Sequence, residues 1–407
     1  MASIPSPVQA PAAAKRPKAK LMSRFGRDNH SPLSMWFWEI DRVLLLFVTL
    51  LLSIGLIAVA AASPAAAERY SDASTRFEPL HYFWRQLAWV VLSVPVMLIV
   101  SALPKDAARR MALIGAVIFT ALLAIVPVIG AEVNGAKRWI GFGFAQFQPS
   151  EFLKPCFVVG MAWLLSLRVH DKTLPVFMIS GLITGLIALF LMRQPDFGQT
   201  VIFAAIWLTL MLLSGVSVKI LSWLGAAGVG LVISAYLFYD VATRRINDFL
   251  FQTGDTYQTD MSHATLTAGG LLGTGPGGGS MKFRLPEAHT DYIFSVIGEE
   301  FGLIACFAIA ALYVAIVVRV IVKLLDEEDM FQLLAAAGLA TQFGVQAMIN
   351  MAVNTQLAPS KGMTLPFISY GGSSMLALSF GFGLLLAFTR RNPYLVRSPY
   401  VVRWNGR

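Results

Sequence analysis

Between Leu285 and Leu303 the chain reads L-P-E-A-H-T-D-Y-I-F-S-V-I-G-E-E-F-G-L, which gathers His289 and the carboxylates Glu287, Asp291, Glu299 and Glu300. The stretch passes from polar residues into an apolar run, in a chain only 14% charged. Ionisable groups at a membrane boundary are costly to desolvate and are candidates for function on that ground. A carboxylate partly withdrawn from water gains basicity. The structural alternative is that Thr290 or Asp291 caps the helix that follows. Further polar groups recur at Arg138, Gln148, Glu151 and Lys154, at Asp196 in the corner Gln194-Pro195-Asp196, and along Pro359 to Ser374 with Lys361, Ser369 and Ser373. Glu151 and Lys154, three apart, can meet on one helical edge, either as an internal ion pair or with Lys154 facing an anionic ligand. Glu299 lies eight residues beyond Asp291, about 80° round a helix, and can border the same cavity, whereas Glu300 points nearly opposite, toward another span.

The elements that must position these groups are membrane helices. With 56% hydrophobic residues and apolar runs of about 20 residues, the chain is predicted to be an all-α polytopic membrane protein with ten transmembrane helices. The spans fall near 43–62, 84–103, 111–129, 150–168, 176–192, 200–215, 220–239, 292–318, 330–352 and 372–389. Basic residues cluster on one side of them, which places both termini in the cytoplasm and one large periplasmic loop, 240–291, between spans 7 and 8. Residues 1–40 read as a disordered basic cytoplasmic tail, 41–391 as the membrane domain and 392–407 as a second basic tail. The net charge of +9 suits anionic headgroups and not nucleic acid, since the basic residues are dispersed at helix ends. Cys156 and Cys306 lie in apolar segments and form no disulfide or metal pattern.

With that orientation every polar cluster lies on the outer face, which suggests one shared cavity open to the outside and to lipid. ATP is absent there, so any synthesis must draw on an already activated substrate such as a lipid-linked diphosphate. The run Gly269 to Gly279 lacks the ending of a phosphate-binding loop. It predicts a flexible segment, part of a mobile lid over the site. The segment Pro359 to Ser374 predicts a re-entrant, cavity-lining stretch, because non-helical backbone at membrane depth must be buried in protein or face water.

The motifs N-G-A-K-R-W at 134, Q-P-S-E-F-L-K at 148, Q-P-D-F-G at 194, L-P-E-A-H-T-D-Y-I-F-S-V-I-G-E-E at 285 and L-P-F-I-S-Y-G-G-S-S at 365 resemble, in this order, those of the SEDS family (shape, elongation, division and sporulation). The P-S-K-G-M-T wording before the last motif and the long basic tail resemble its division branch more than its elongation branch. Tyr292 departs from the Phe commoner after the Asp, and the Gly-rich run has no acidic residue. The resemblance implies a peptidoglycan glycosyltransferase that polymerises lipid II onto a nascent glycan strand at the septum, working with a class B penicillin-binding transpeptidase and other divisome proteins in the bacterial inner membrane. It implies Asp291 as the catalytic carboxylate and Arg138, Gln148, Glu151, Lys154, Asp196, Gln258, His289, Glu299, Lys361, Ser369 and Ser373 as substrate-binding residues. Arg138, Lys154 and Lys361 would stabilise the diphosphate leaving group, and a divalent cation such as Mg2+ can bridge diphosphate and carboxylates. Two other functions fit less well. A lipid II translocase needs a path to the cytoplasmic side, where the turns are short and basic, and a non-catalytic activator of the transpeptidase leaves the outward carboxylates without a task.

Overall fold

A computed structural model describes residues 32–71, 76–133, 136–141, 146–169, 171–251, 257–359 and 362–390. It divides into two units, one formed by residues 41–390 and the other by the two ends of the chain. The tails expected at 1–40 and 392–407 lie largely outside the described residues. Of the first, Pro32–Glu39 forms a short helix, α1.

In the larger unit the apolar runs become helices: α2 Arg42–Tyr70, α3 His81–Ala102, α4 Lys105–Ile129, α5 Pro149–Ser166, α6 Val176–Arg193, α7 Phe197–Leu213 and α8 Val218–Phe238. Two shorter helices follow, α9 Asp240–Phe251 and α10 Tyr257–Ala268, and then α11 Ile293–Leu324, α12 Met330–Asn354 and α13 Gly372–Phe388. Eight of these are long and apolar enough to cross a membrane; α7 and α13 are apolar but shorter. Residues such as Val91, Ile99, Val117, Val128 and Leu182 expose their side chains, as lipid-facing positions do. Short polar side chains start several helices where the sequence supplies them: Asp41 caps α2, Asp196 caps α7 and Asp329 caps α12. Pro149 opens α5 in its first turn, where a missing donor costs nothing.

The helix α5 is the central element, packed on α4, α7, α12 and α13, while α13 lies along α3 and α11 along α2, α10 and α12. Between α4 and α5 the chain forms a small antiparallel hairpin, β1 Ala131–Val133 and β2 Ala136–Trp139, where the sequence predicts only a loop. At the end opposite Asp291, Asp41 takes Arg319 at 3.1 Å and Lys323 at 2.8 Å from the far end of α11. Lys323 also donates to Thr389 O, and Arg390 to Leu103 O, which ties α2, α3, α11 and α13 together there.

The Gly-rich run corrects an expectation. It is packed, not loose, because α11 breaks at Gly302, where φ is 83°, and the run completes the interrupted backbone ladder. Thr274 N–H donates to Glu299 O at 2.9 Å and Gly275 N–H to Glu300 O at 3.0 Å, while Leu303 N–H reaches Gly270 O at 3.0 Å. Backbones approach so closely that a Cβ at Gly269 would stand 2.1 Å from Gly298 O, and one at Gly273 would stand 2.3 Å from Glu300 O. The glycines serve contact between two backbones, the other use of a residue without Cβ. Glu300 likewise does more than pack against a span: it pairs with Lys282 and accepts from Gly277 N–H. Lys282 also donates to Ala61 O of α2 at 2.9 Å.

A buried pair of this kind is costly to break and cheap to replace whole. Lys282→Met should therefore lower stability by about 3–5 kcal/mol, and Lys282→Met with Glu300→Gln should recover most of that. Unfolding of the detergent-solubilised chain measures both, and equal losses in the single and double variants would show that the pair does not anchor the run.

Candidate functional site

Asp291 stands on the turn that leads into α11. Tyr292, and not Asp291 or Thr290, occupies the cap position, and no side chain caps the helix. The carbonyl of Asp291 accepts from Asn350 Nδ2 at 2.8 Å and from Asn354 Nδ2 at 3.0 Å, both on α12. Its carboxylate, half-buried, receives no hydrogen bond from a described residue. Gly362 lies so close that a Cβ there would come 3.2 Å from Asp291 Oδ2. Burial, followed by the negative charge of Glu287, pushes the Asp291 carboxyl up to about 7. At neutral pH such a group divides between its acid and its base, the condition in which a carboxyl exchanges protons best.

The turn before Asp291 is held on several sides. Glu287 accepts from Tyr70 OH at 2.8 Å and from Thr290 Oγ1 at 2.6 Å. Ser369 Oγ donates to Thr290 O at 2.6 Å, and Tyr370 N–H donates to His289 O at 2.9 Å. His289 is buried against Tyr82 and Tyr370, with ring centroids 4.3 Å and 5.2 Å away. Burial depresses it to about 4, Glu287 opposing and Arg85 adding to the shift, so the imidazole is neutral at pH 7. Its Nδ1 has no partner among the described residues.

A second network surrounds Lys154. Its Nζ lies 2.8 Å from Glu151 Oε2 and donates to Gln346 Oε1 at 2.8 Å. Glu151 also accepts from Gln199 Nε2 at 2.6 Å and from Ser374 Oγ at 3.3 Å. Ser374 Oγ meets Thr364 Oγ1 at 2.9 Å, and Thr364 O accepts from Gln346 Nε2 at 3.1 Å, which closes a ring of polar side chains. Gln148 Nε2 donates to Asp196 Oδ2 at 3.1 Å, and Asp196 Oδ1 accepts from Gln199 N–H at 3.3 Å. Burial raises the pKa of Asp196 while the Arg138 charge opposes it. Arg138 itself donates from Nε to Gln194 O at 2.9 Å and from Nη2 to Pro195 O, which bolts the β-hairpin to the corner between α6 and α7.

Of the residues expected to form one site, the structure gathers Arg138, Gln148, Glu151, Lys154 and Asp196 into this network and brings His289, Asp291 and Ser369 together further along the same face of α12. Ser373 is buried at the start of α13 with its hydroxyl unpartnered among the described residues. Glu299 does not face Asp291: its carboxylate accepts from Met281 N–H at 2.6 Å and Lys282 N–H at 3.0 Å. The kink at Gly302 and the inserted run claim it for the scaffold. Gln258 is exposed on α10, and Lys361 lies outside the described residues. No three His, Cys, Asp or Glu side chains gather around a point among the described residues, so a divalent cation here would have to draw most of its oxygen ligands from substrate. Gln346, Asn350 and Asn354 lie outside the residues expected from the sequence, although amides at four-residue spacing in an apolar span are a visible signal.

A sequence profile of cell cycle proteins, FtsW/RodA/SpoVE, matches residues 41–394. The chain is 38% identical over 373 residues to the probable peptidoglycan glycosyltransferase FtsW of Caulobacter vibrioides, a match covering 91% of this chain and 94% of that one. It is 35% identical to the protein of the same description from Trichlorobacter lovleyi, over 86% of this chain and 92% of that one. Among solved structures it is similar to a chain of a peptidoglycan synthase complex that coordinates polymerization and crosslinking, with TM-score 0.70, 25% identity and coverage of 86% and 97%. The rod shape determining protein RodA of Thermus thermophilus is also similar, with TM-score 0.61, 25% identity and coverage of 86% and 96%.

Because its carboxyl stays protonated up to about 7, Asp291 should lose its protonated C=O stretch near that pH in infrared difference titration of the wild-type chain against Asp291→Asn. Glu287→Gln removes a neighbouring negative charge, which eases ionisation, so the midpoint should move to lower pH. A midpoint unchanged in Glu287→Gln would mean that burial alone sets it.

Proposed function

The chain belongs to the FtsW/RodA/SpoVE family of cell cycle proteins, and from that membership we propose that it is a multi-pass peptidoglycan glycosyltransferase polymerising lipid II at the outer face of the bacterial inner membrane during septal wall synthesis. The observation that carries the reading is the state of Asp291. Among the described residues it is a half-buried acid whose main chain is fixed but whose oxygens remain free to take a proton, beside Gly362.

In the reaction Asp291 accepts the proton of the acceptor sugar hydroxyl as its oxygen bonds to the anomeric carbon of the donor. The bond from that carbon to the diphosphate oxygen breaks, and the electron pair leaves with undecaprenyl diphosphate. Lys154, Arg138 and Lys361 supply positive charge toward the leaving group. Lys154 is nearly fully buried and committed to Glu151 and Gln346, so it acts from the cavity wall and has one N–H left to donate. The relatives named as peptidoglycan glycosyltransferases support the reaction, and the similar chain from a polymerizing and crosslinking complex supports a penicillin-binding transpeptidase as partner. Ten spans, cytoplasmic termini and an outward Asp291 complete the reading. The closure of the opposite end by Asp41, Arg319 and Lys323 favours an enzyme over a translocase, which needs a path through to that side.

Purified chain given fluorescent lipid II, with and without its transpeptidase, should make glycan strands, and Asp291→Asn should make none while folding and binding its partner normally. Retention of more than about a tenth of the wild-type rate would remove Asp291 as the base, since a positioned base contributes roughly 10²–10⁴-fold. Lys154→Met should lose polymerisation, and Glu151→Gln with Lys154→Met should regain stability without regaining activity. Full activity in that double variant would take Lys154 out of the reaction.

A further inference from the structure

One face of α12 carries four amide side chains, Gln342, Gln346, Asn350 and Asn354, all buried. Spaced by four residues, they stand one above another with a rise of about 6 Å per step. The rest of that span is largely apolar, and an amide at membrane depth is tolerated only when it is hydrogen-bonded.

Their partners follow a pattern. Asn354 Nδ2 donates to Asp291 O at 3.0 Å, and its Oδ1 accepts from Ser295 Oγ at 2.9 Å. Asn350 Nδ2 donates to Asp291 O at 2.8 Å and to Met363 O at 2.6 Å. Gln346 receives Lys154 Nζ on its oxygen and donates to Thr364 O. Gln342, one turn further along, borders a small apolar cavity lined by Phe343, Leu378, Gly381 and Phe382, and its Oε1 has no partner among the described residues. Three rungs of the ladder therefore hold Asp291, Lys154 and the segment 363–364 that runs between them.

The carbonyl of Asp291 spends both its lone pairs on α12. Fixing that carbonyl fixes the plane of the following peptide, and Ser369 Oγ holds Thr290 O in the preceding one at 2.6 Å; with the planes on both sides of its Cα held, the direction of the Asp291 Cα–Cβ bond is set. An apolar residue at 350 or 354 would fill the volume, but it would leave the carbonyl one donor where it had two and the carboxylate freer to swing.

We propose that Asn350 and Asn354 are positioning residues that aim the Asp291 carboxylate through its main-chain carbonyl, and that Gln346 in the same ladder sets Lys154, so that one rigid helix fixes the distance from base to cation. The proposal rests on the reading of Asp291 as the base. A displacement near 1 Å costs about 10²-fold in rate, so small losses of anchoring have large consequences.

The test uses the full chain with its transpeptidase in nanodiscs, as wild type and as Asn350→Leu, Asn354→Leu and Gln346→Leu. In each variant kcat for lipid II should fall about tenfold or more with KM within about twofold, because what is lost is geometry in the transition state and not binding. Labelling of Asp291 by a water-soluble carbodiimide, read by mass spectrometry, should rise severalfold in the Asn350 and Asn354 variants. Where a Leu variant fails to accumulate, Asn350→Asp and Asn354→Asp, of equal shape but without the N–H donors, take the same readouts. Activity lost only in proportion to folded protein would overturn the proposal. Should the wild-type chain make no glycan, the labelling still decides. Unchanged Asp291 labelling sinks the ladder, whereas raised labelling keeps it and removes only the polymerase reading.

Discussion

A polar group at membrane depth must find its partner within the chain, because lipid offers none. The structure around α11 answers that constraint group by group. The break at Gly302 frees backbone groups, and the run from Gly269 to Gly279 supplies Thr274 N–H, Gly275 N–H and Gly270 O to satisfy them. Glu299 takes two backbone N–H groups, Glu300 takes Lys282, and Glu151 takes Lys154 and Gln199. Against this background Asp291 is the exception: its carbonyl is doubly bonded to α12 while its carboxylate is left to burial and to the field of Glu287. The fold has committed the backbone of this residue and kept its acid free.

Much of this was legible in the sequence wherever one local rule decides the outcome. The apolar runs became helices at nearly the expected places, and Pro149 opens α5 as its missing donor suggests. The Glu151–Lys154 pair follows from a spacing of three, and Asp196 does cap α7. What the sequence could not yield depends on contacts between distant segments. The helical wheel that carried Glu299 toward Asp291 assumes an unbroken helix whose surroundings are open, and both assumptions fail once the Gly-rich run inserts at Gly302. Glycine clusters permit either freedom or close approach, and only the neighbour decides between them. Lys282 is similar: beside Phe283 and Arg284 it reads as a loop cation, yet it reaches Glu300 and Ala61 O in the interior.

The amides of α12 lie between these two cases. Their period of four is plain in the sequence, and it already says that one face of the span meets polar partners. Which partners cannot be read from the span itself, because they come from the turn at 291, the segment at 363–364 and α5, which are remote along the chain.

The separation of the two networks also bears on chemistry. An acid paired directly with Lys154 would be held ionised, with its pKa driven down and its basicity lost. Here Glu151 occupies Lys154, and that pair and Asp291 meet the same face of α12 one turn apart, Gln346 holding one and Asn350 the other. Lys154 is compensated locally by Glu151 and does not take Asp291 as its counter-ion. The carboxyl of Asp291 is raised by burial and by Glu287, and Lys154 is held by its own carboxylate, Glu151. About one turn of α12 lies between the amides that hold them, and that keeps the free carboxylate and the paired cation from neutralising each other.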